Sequence, residues 1–129
     1  MDESTKVADQ RTVERSQSDI LVLRARLRRL LRENEVRTDL FGWQLAAPSA
    51  FDLILSLYAA ELNGRQNLVS HVGEASGLPQ TTALRWLKML EAEGWVARLP
   101  GPLRRRTFVI VLTDRARTAL KAYLEERST

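Results

Sequence analysis

Residues 70–95, SHVGEASGLPQTTALRWLKMLEAEGW, constrain the fold more than any other part of the chain. Ser70 is a credible N-cap for a short helix with Val72 and Ala75 inward and Glu74 outward, and Gly77 stops it. A second helix follows almost at once, from Pro79 or Gln80 to Glu93, with Gly94 as a left-handed cap. On it Ala83, Leu87 and Leu90 share one side with Trp86 flanking them, as a helix set into a small core requires. Gln80, Thr81, Leu84, Arg85 and Lys88 fall on the opposite side, mostly in the first turns. Two helices so closely joined predict a helix-turn-helix.

The flanks extend this unit. Before it, Pro48 or Ser49 starts a helix whose inward face is Phe51, Ile54, Leu55, Tyr58, Ala59 and Leu62, ended by Asn63-Gly64; Leu68 and Val69 are briefly extended. After it, Trp95 to Leu99 reads as a strand, PGPLRRR as a loop and Thr107 to Leu112 as a β-branched partner strand. Thr113 then caps a last helix from Asp114 to about Glu126, with Ala116, Leu120, Tyr123 and Leu124 inward. The order helix, helix, helix, hairpin, helix predicts a mainly α fold with a small β-hairpin (α+β), a winged helix-turn-helix.

Upstream, residues 1–10 lack periodicity and read as a disordered start. Thr12 to about Val36 contains no Gly or Pro, and Val13, Ile20, Leu23, Leu27, Leu30 and Leu31 recur at three and four residues, predicting one amphipathic helix. Such a helix spans about 35 Å, too long to lie wholly on a core this small. Val13, Ile20, Leu27 and Asn34, with Ser16, Leu23 and Leu30, fit a heptad, so Ile20, Leu23, Leu27, Leu30 and Leu31 are the expected dimerisation residues. Packing on its own domain is the simpler alternative. Residues 38–48 form an apolar connector broken at Gly42, with Phe41 and Trp43 expected to tuck into the body. The domain scheme is therefore 1–10 disordered, 11–47 helix and connector for dimerisation, and 48–129 winged helix with its terminal helix.

The formal charge of +4 matters less than its distribution. Residues 11–37 hold eight Arg against four acids, and residues 98–106 hold four Arg and no acid. Three adjacent guanidiniums in PGPLRRR need carboxylates to be buried, and the segment has none, so Arg98, Arg104, Arg105 and Arg106 are expected to face water or phosphate. On the second helix of the pair, Arg suits guanine O6 and N7, Gln suits adenine, and Thr offers a hydroxyl or methyl to thymine; Lys88 is better placed for a phosphate. The candidate DNA-binding set is Ser70, His71, Gln80, Thr81, Thr82, Arg85, Lys88, Arg98, Arg104, Arg105 and Arg106. An alternative makes Thr81 and Thr82 ordinary first-turn residues and pairs Arg85 and Lys88 with Glu91 or Glu93 on a solvated face.

Other chemistry has little to stand on. With no Cys, thiolate metal sites, disulfides and cysteine nucleophiles are excluded. His71 is the sole His, and no phosphate-cradling Gly loop, metal-ligand spacing or Ser-His-acid set is present, so no catalytic residue, metal or cofactor is expected. No apolar run approaches membrane-spanning length and the N-terminus lacks signal-peptide order, so a cytoplasmic, nucleoid-associated protein without a membrane partner is expected.

The run GLPQTTALRWLKMLEAEGW, followed by a wing and VLTDRAR, resembles the MarR-like winged-helix regulators of bacteria, in a short form, over Phe51 to Leu124. The resemblance implies a dimeric transcription factor with Gln80 to Glu93 as recognition helix, Pro100 to Thr107 as wing and terminal helices building the dimer. Arg106 matches the usual basic wing position. Such wings commonly carry an Asp before the prolyl segment and an acid before the key Arg; Gly101 and Arg104 stand there, implying a more cationic wing that favours phosphate over base readout.

The leading expectation is a homodimeric, sequence-selective binder of double-stranded DNA with half-sites about 34–36 Å apart. Relatives of this kind often bind small aromatic ligands; an effector is permitted and no residue pattern indicates one. A competing reading keeps the winged helix as a protein-interaction module for an acidic partner. A third places residues 12–36 on anionic lipid, disfavoured by the narrow apolar strip and the absence of aromatic anchors.

Overall fold

The computed structural model describes residues 3–46, 49–101 and 108–126, with side chains from residue 17 onward other than those of residues 43 and 44. Helix α1 covers Glu3–Phe41 and α2 covers Trp43–Ala46. Helix α3 (Ala50–Leu62), strand β1 (Asn67–Leu68), a 3₁₀ turn (Val69–His71), α4 (Val72–Ser76) and α5 (Gln80–Ala92) follow. Strands β2 (Val96–Pro100) and β3 (Phe108–Leu112) and helix α6 (Asp114–Glu126) complete the order.

The winged-helix order expected from the sequence is present. The hairpin strands β2 and β3 pair antiparallel, Val96 opposite Leu112 and Arg98 opposite Ile110, and β1 adds to the far edge of β3 to give the order β1-β3-β2. That third strand is only two residues long and overlaps the extended Leu68–Val69 read from the sequence, shifted by one residue because Val69 already opens the 3₁₀ turn. Thr113 caps α6 as expected, its Oγ1 accepting from the Ala116 N–H at 3.2 Å.

Helix α3 is the hub of the core. Ser49 accepts from the Asp52 N–H while Asp52 accepts from the Ser49 N–H at 2.7 Å, a reciprocal capping box that sets the helix start. Leu53, Ile54, Leu55, Leu57 and Tyr58 are all buried. The inward face read from the sequence therefore omitted Leu53 and Leu57, because α3 is covered by α1 on one side and by α4, α5 and the sheet on the others. Phe51, expected inward, is 43% exposed and meets Tyr123 edge-on, ring centroids 5.1 Å apart.

The largest corrections concern α1. It starts at Glu3, within the segment expected to be disordered; that segment has no Gly or Pro to stop a helix propagating backward from the periodic region. Leu23 and Leu27, assigned above to a subunit interface, are buried in the protomer's own core, Leu27 at 0% exposure, with Leu30 and Leu31 packed against it. Of the five expected dimerisation residues, Ile20 is exposed, at 40%. The reason is geometric: α3 and α6 present a groove along which the middle of α1 lies, so its narrow apolar strip is consumed within the chain. Polar contacts fix that register. Arg26 donates to the Leu124 carbonyl near the end of α6 at 3.3 Å, and Asn34, placed in the heptad by the sequence, donates to Asp52. Helix α1 runs past Val36, where the sequence reading ended it, to Phe41, and Gly42, read as a break within the connector, ends it with φ 82°. Phe41, expected to tuck inward, is 62% exposed; the side chain of Trp43 lies outside the described residues.

Candidate nucleic-acid interface

Helix α5 owes its placement to its two faces. Ala83, Leu87 and Leu90 are buried and Trp86 half-buried, so the helix can sit only one way round on the core. Gly94, with φ 81°, ends it, and Trp95 N–H returns to the Leu90 carbonyl at 2.9 Å. Arg115 clamps this end: its guanidinium lies 3.8 Å over the Trp95 ring and donates to the Glu93 carbonyl at 2.8 Å. The C-terminal end of α5 is thus held by α6, while its N-terminal half packs on α4 through one face and leaves the other face open.

On that half Thr81, Leu84, Arg85 and Lys88 are exposed and Thr82 is half-buried. Among the described residues neither Arg85 nor Lys88 forms an ion pair; Glu91, a partner the solvated-face alternative required, is bridged by Arg98 at 3.3 Å. No side chain caps the start of α5, so its first-turn N–H groups add positive potential beside these cations. Ser70 and His71 are both exposed in the neighbouring 3₁₀ turn.

Ser70 does not cap α4: that position belongs to His71, and neither helix start carries a side-chain cap bond. Ala75, expected inward, is exposed, because α4 is a single turn held by Val72 and Gly73. Gln80 requires a correction as well. Its carboxamide faces away from solvent, accepting from the Gly73 N–H at 2.7 Å and donating to the Val69 carbonyl at 3.0 Å. As the first residue of α5 it can reach back across the turn, and buried backbone groups there are more demanding partners than water. Arg98 also has a carboxylate partner, supplied by α5 and not by the hairpin, and its guanidinium lies 5.7 Å from the centroid of the Phe108 ring. Arg104, Arg105 and Arg106 lie outside the described residues.

Sequence reasoning passed over an open cleft of about 1130 Å³ between the C-terminal half of α1, α2 and α3, whose walls include Arg29, Arg32, Arg37, Phe41, Leu45 and Tyr123. These residues come together only when α1 folds along α3. Among the described residues no acid or His cluster is suited to a metal ion, and no helix is long and apolar enough to cross a membrane.

Neither a protein-family model nor a curated protein sequence matches the chain. Among solved structures it is similar to the transcriptional regulator Tm0710 from Thermotoga maritima, with 22% identity over 92% of this chain and 72% of that one and a TM-score of 0.52. It is similar to a MarR family protein from Bacillus stearothermophilus, with 19% identity, 99% and 77% coverage and a TM-score of 0.50. A MarR protein from Peptoclostridium difficile has 11% identity, 99% and 71% coverage and a TM-score of 0.51. At such identities the likeness is one of architecture, and with the element order above it establishes that the chain carries the winged-helix fold found in MarR-family transcriptional regulators.

Proposed function

We propose that the protein is a MarR-like transcriptional regulator that binds double-stranded DNA as a homodimer, with α5 in the major groove and the arginine-rich segment after β2 on the adjacent backbone or minor groove. The observation that carries this reading is the outward half of α5, where Thr81, Arg85 and Lys88 are exposed together beside an uncapped helix start. An exposed helix end of about two turns is what a major groove admits, and a guanidinium there can grip guanine in two hydrogen bonds. Arg104, Arg105 and Arg106 supply charge for phosphate contacts, which makes affinity fall steeply as salt rises.

Duplexes selected by the protein from a random library, titrated with salt, test the proposal. The expected result is a two-fold symmetric site whose affinity falls with salt and drops when Arg85 and Arg106 are both replaced by Ala. Binding that stays flat as salt rises, or that survives the double substitution, overturns it; failure to retard random duplex at low salt would favour an acidic protein partner instead.

A further inference from the structure

The side chain of Gln80 stands where a reader of bases was expected and is turned inward, onto the backbone of the preceding turn and helix. Its Oε1 accepts from the Gly73 N–H at 2.7 Å and its Nε2 donates to the Val69 carbonyl at 3.0 Å. The two partners, one donor and one acceptor, determine which way round the amide lies, and they belong to different elements, α4 and the 3₁₀ turn. Glu at neutral pH would keep the acceptor and lose the donor, Met would keep the volume and lose both, and Asn would be one methylene shorter.

Gly73 leaves no slack in the joint. A Cβ added there would fall 2.7 Å from the Gln80 Cα and 2.9 Å from its backbone nitrogen, so the two helices touch through backbone. Leu78 N–H, in the turn between them, donates to the Gly73 carbonyl at 2.9 Å. The start of α5 is therefore held against α4 by a glycine that sets the distance and a glutamine that sets the direction. Thr81 and Arg85 lie one and five residues further on, so a rotation of this start displaces both.

We propose that Gln80 is a positioning residue for recognition: it orients α5 so that Thr81 and Arg85 meet base edges together, and it does not itself touch DNA. This rests on the major-groove reading above. A direct reader and a positioning residue leave different traces. Removing a direct reader relaxes the preference at one base pair, whereas removing a positioning residue flattens the preference at every position its helix reads and leaves phosphate contacts intact.

The test uses the full chain and the duplex selected by the wild type, with Gln80→Met, Gly73→Ala and Arg85→Ala compared on selected and random duplexes across salt concentrations. For Gln80→Met, selected-over-random affinity is expected to fall about tenfold, with the consensus unchanged, the random-duplex affinity and salt slope retained, and amide exchange at Gly73 accelerated while Leu87 and Leu90 stay protected. Gly73→Ala, which moves the joint without changing the outward face, is expected to flatten preference in the same way. If the Met variant does not fold, Gln80→Glu at neutral pH, which loses one of the two bonds, takes its place with a smaller loss expected. A wild-type ratio in the substituted protein, or loss confined to one base pair, overturns the positioning role. If the wild type shows no preference, or Arg85→Ala matches it, the groove reading has failed and the positioning role falls with it; amide exchange at Gly73 then still reports whether the joint exists.

Discussion

At the scale of single residues, the proposed groove reading assigns Arg85 and Lys88 different contacts. Arg85 is exposed at a position from which a planar fork can meet a base edge, while Lys88, one turn further from the helix start, suits a phosphate. Arg85→Ala is expected to lower affinity for the selected duplex about tenfold to a hundredfold and to relax one base position, read by repeating the selection. Lys88→Ala is expected to weaken all duplexes alike and to reduce the slope of log affinity against log salt by about one. Two residues show why composition misjudged the site. Gln80 and Arg98 are both polar and near the expected surface, and both are engaged by partners distant in sequence: the backbone at Val69 and Gly73, and the carboxylate of Glu91. Side-chain type shows what a residue is able to bond, and only the neighbours decide what it does bond.

At the scale of elements, periodicity located the helices well and their partners poorly. The short α4, the polar front of α5 and the start of α6 were legible because Gly77, Gly94 and Thr113 punctuate them. The burial of α3 was legible on one face only, since a helix covered from several sides carries apolar residues all round and loses its stripe. Tyr58 lies on that helix with its phenol pushed above the usual value, first by burial and then by the charge of Glu61, against a smaller opposing pull from Arg117. A phenol that holds its proton longer folded than unfolded contributes stability below its ordinary value of 10.0, and that contribution is lost as pH rises through the raised value. Stability measured by urea is expected to decline in this alkaline range, less so for Tyr58→Phe, with tyrosinate absorbance of Tyr58 appearing later than that of free tyrosine. Leu27→Ala removes a wholly buried side chain between α1 and the domain; a loss of about 2–5 kcal/mol in urea unfolding is expected, independent of protein concentration.

At the scale of the whole molecule, α1 behaves differently along its length. Its middle belongs to the protomer's core, while Ile20, Leu21 and Val22 are exposed before it, and Leu40, Phe41 and Leu45 are exposed where α1 gives way to α2. Leu40 at 73% and Leu45 at 77% exposure are unusual for large apolar side chains and mark faces suited to a second chain. If the homodimer forms through α1, the measured mass is expected to be twice that of the chain, and Ile20→Lys with Leu21→Lys is expected to shift it toward one chain. Helical content should persist in that variant, in contrast with the lower stability of Leu27→Ala.

The sequence by itself determined the order of elements from α3 to α6, the two-faced character of α5 and the winged-helix class, because these depend on local signals: glycines where the chain must turn, hydroxyls where helices start, and apolar spacing of three to four residues or runs of β-branched side chains. The fate of α1's leucines, the inward turn of Gln80, the pairing of Arg98 with Glu91 and the cleft beside α1 were decided only by the tertiary structure. Each depends on a partner 7 or more residues away, and an apolar stripe or a polar head is equally consistent with any complementary surface until folding brings one of them near.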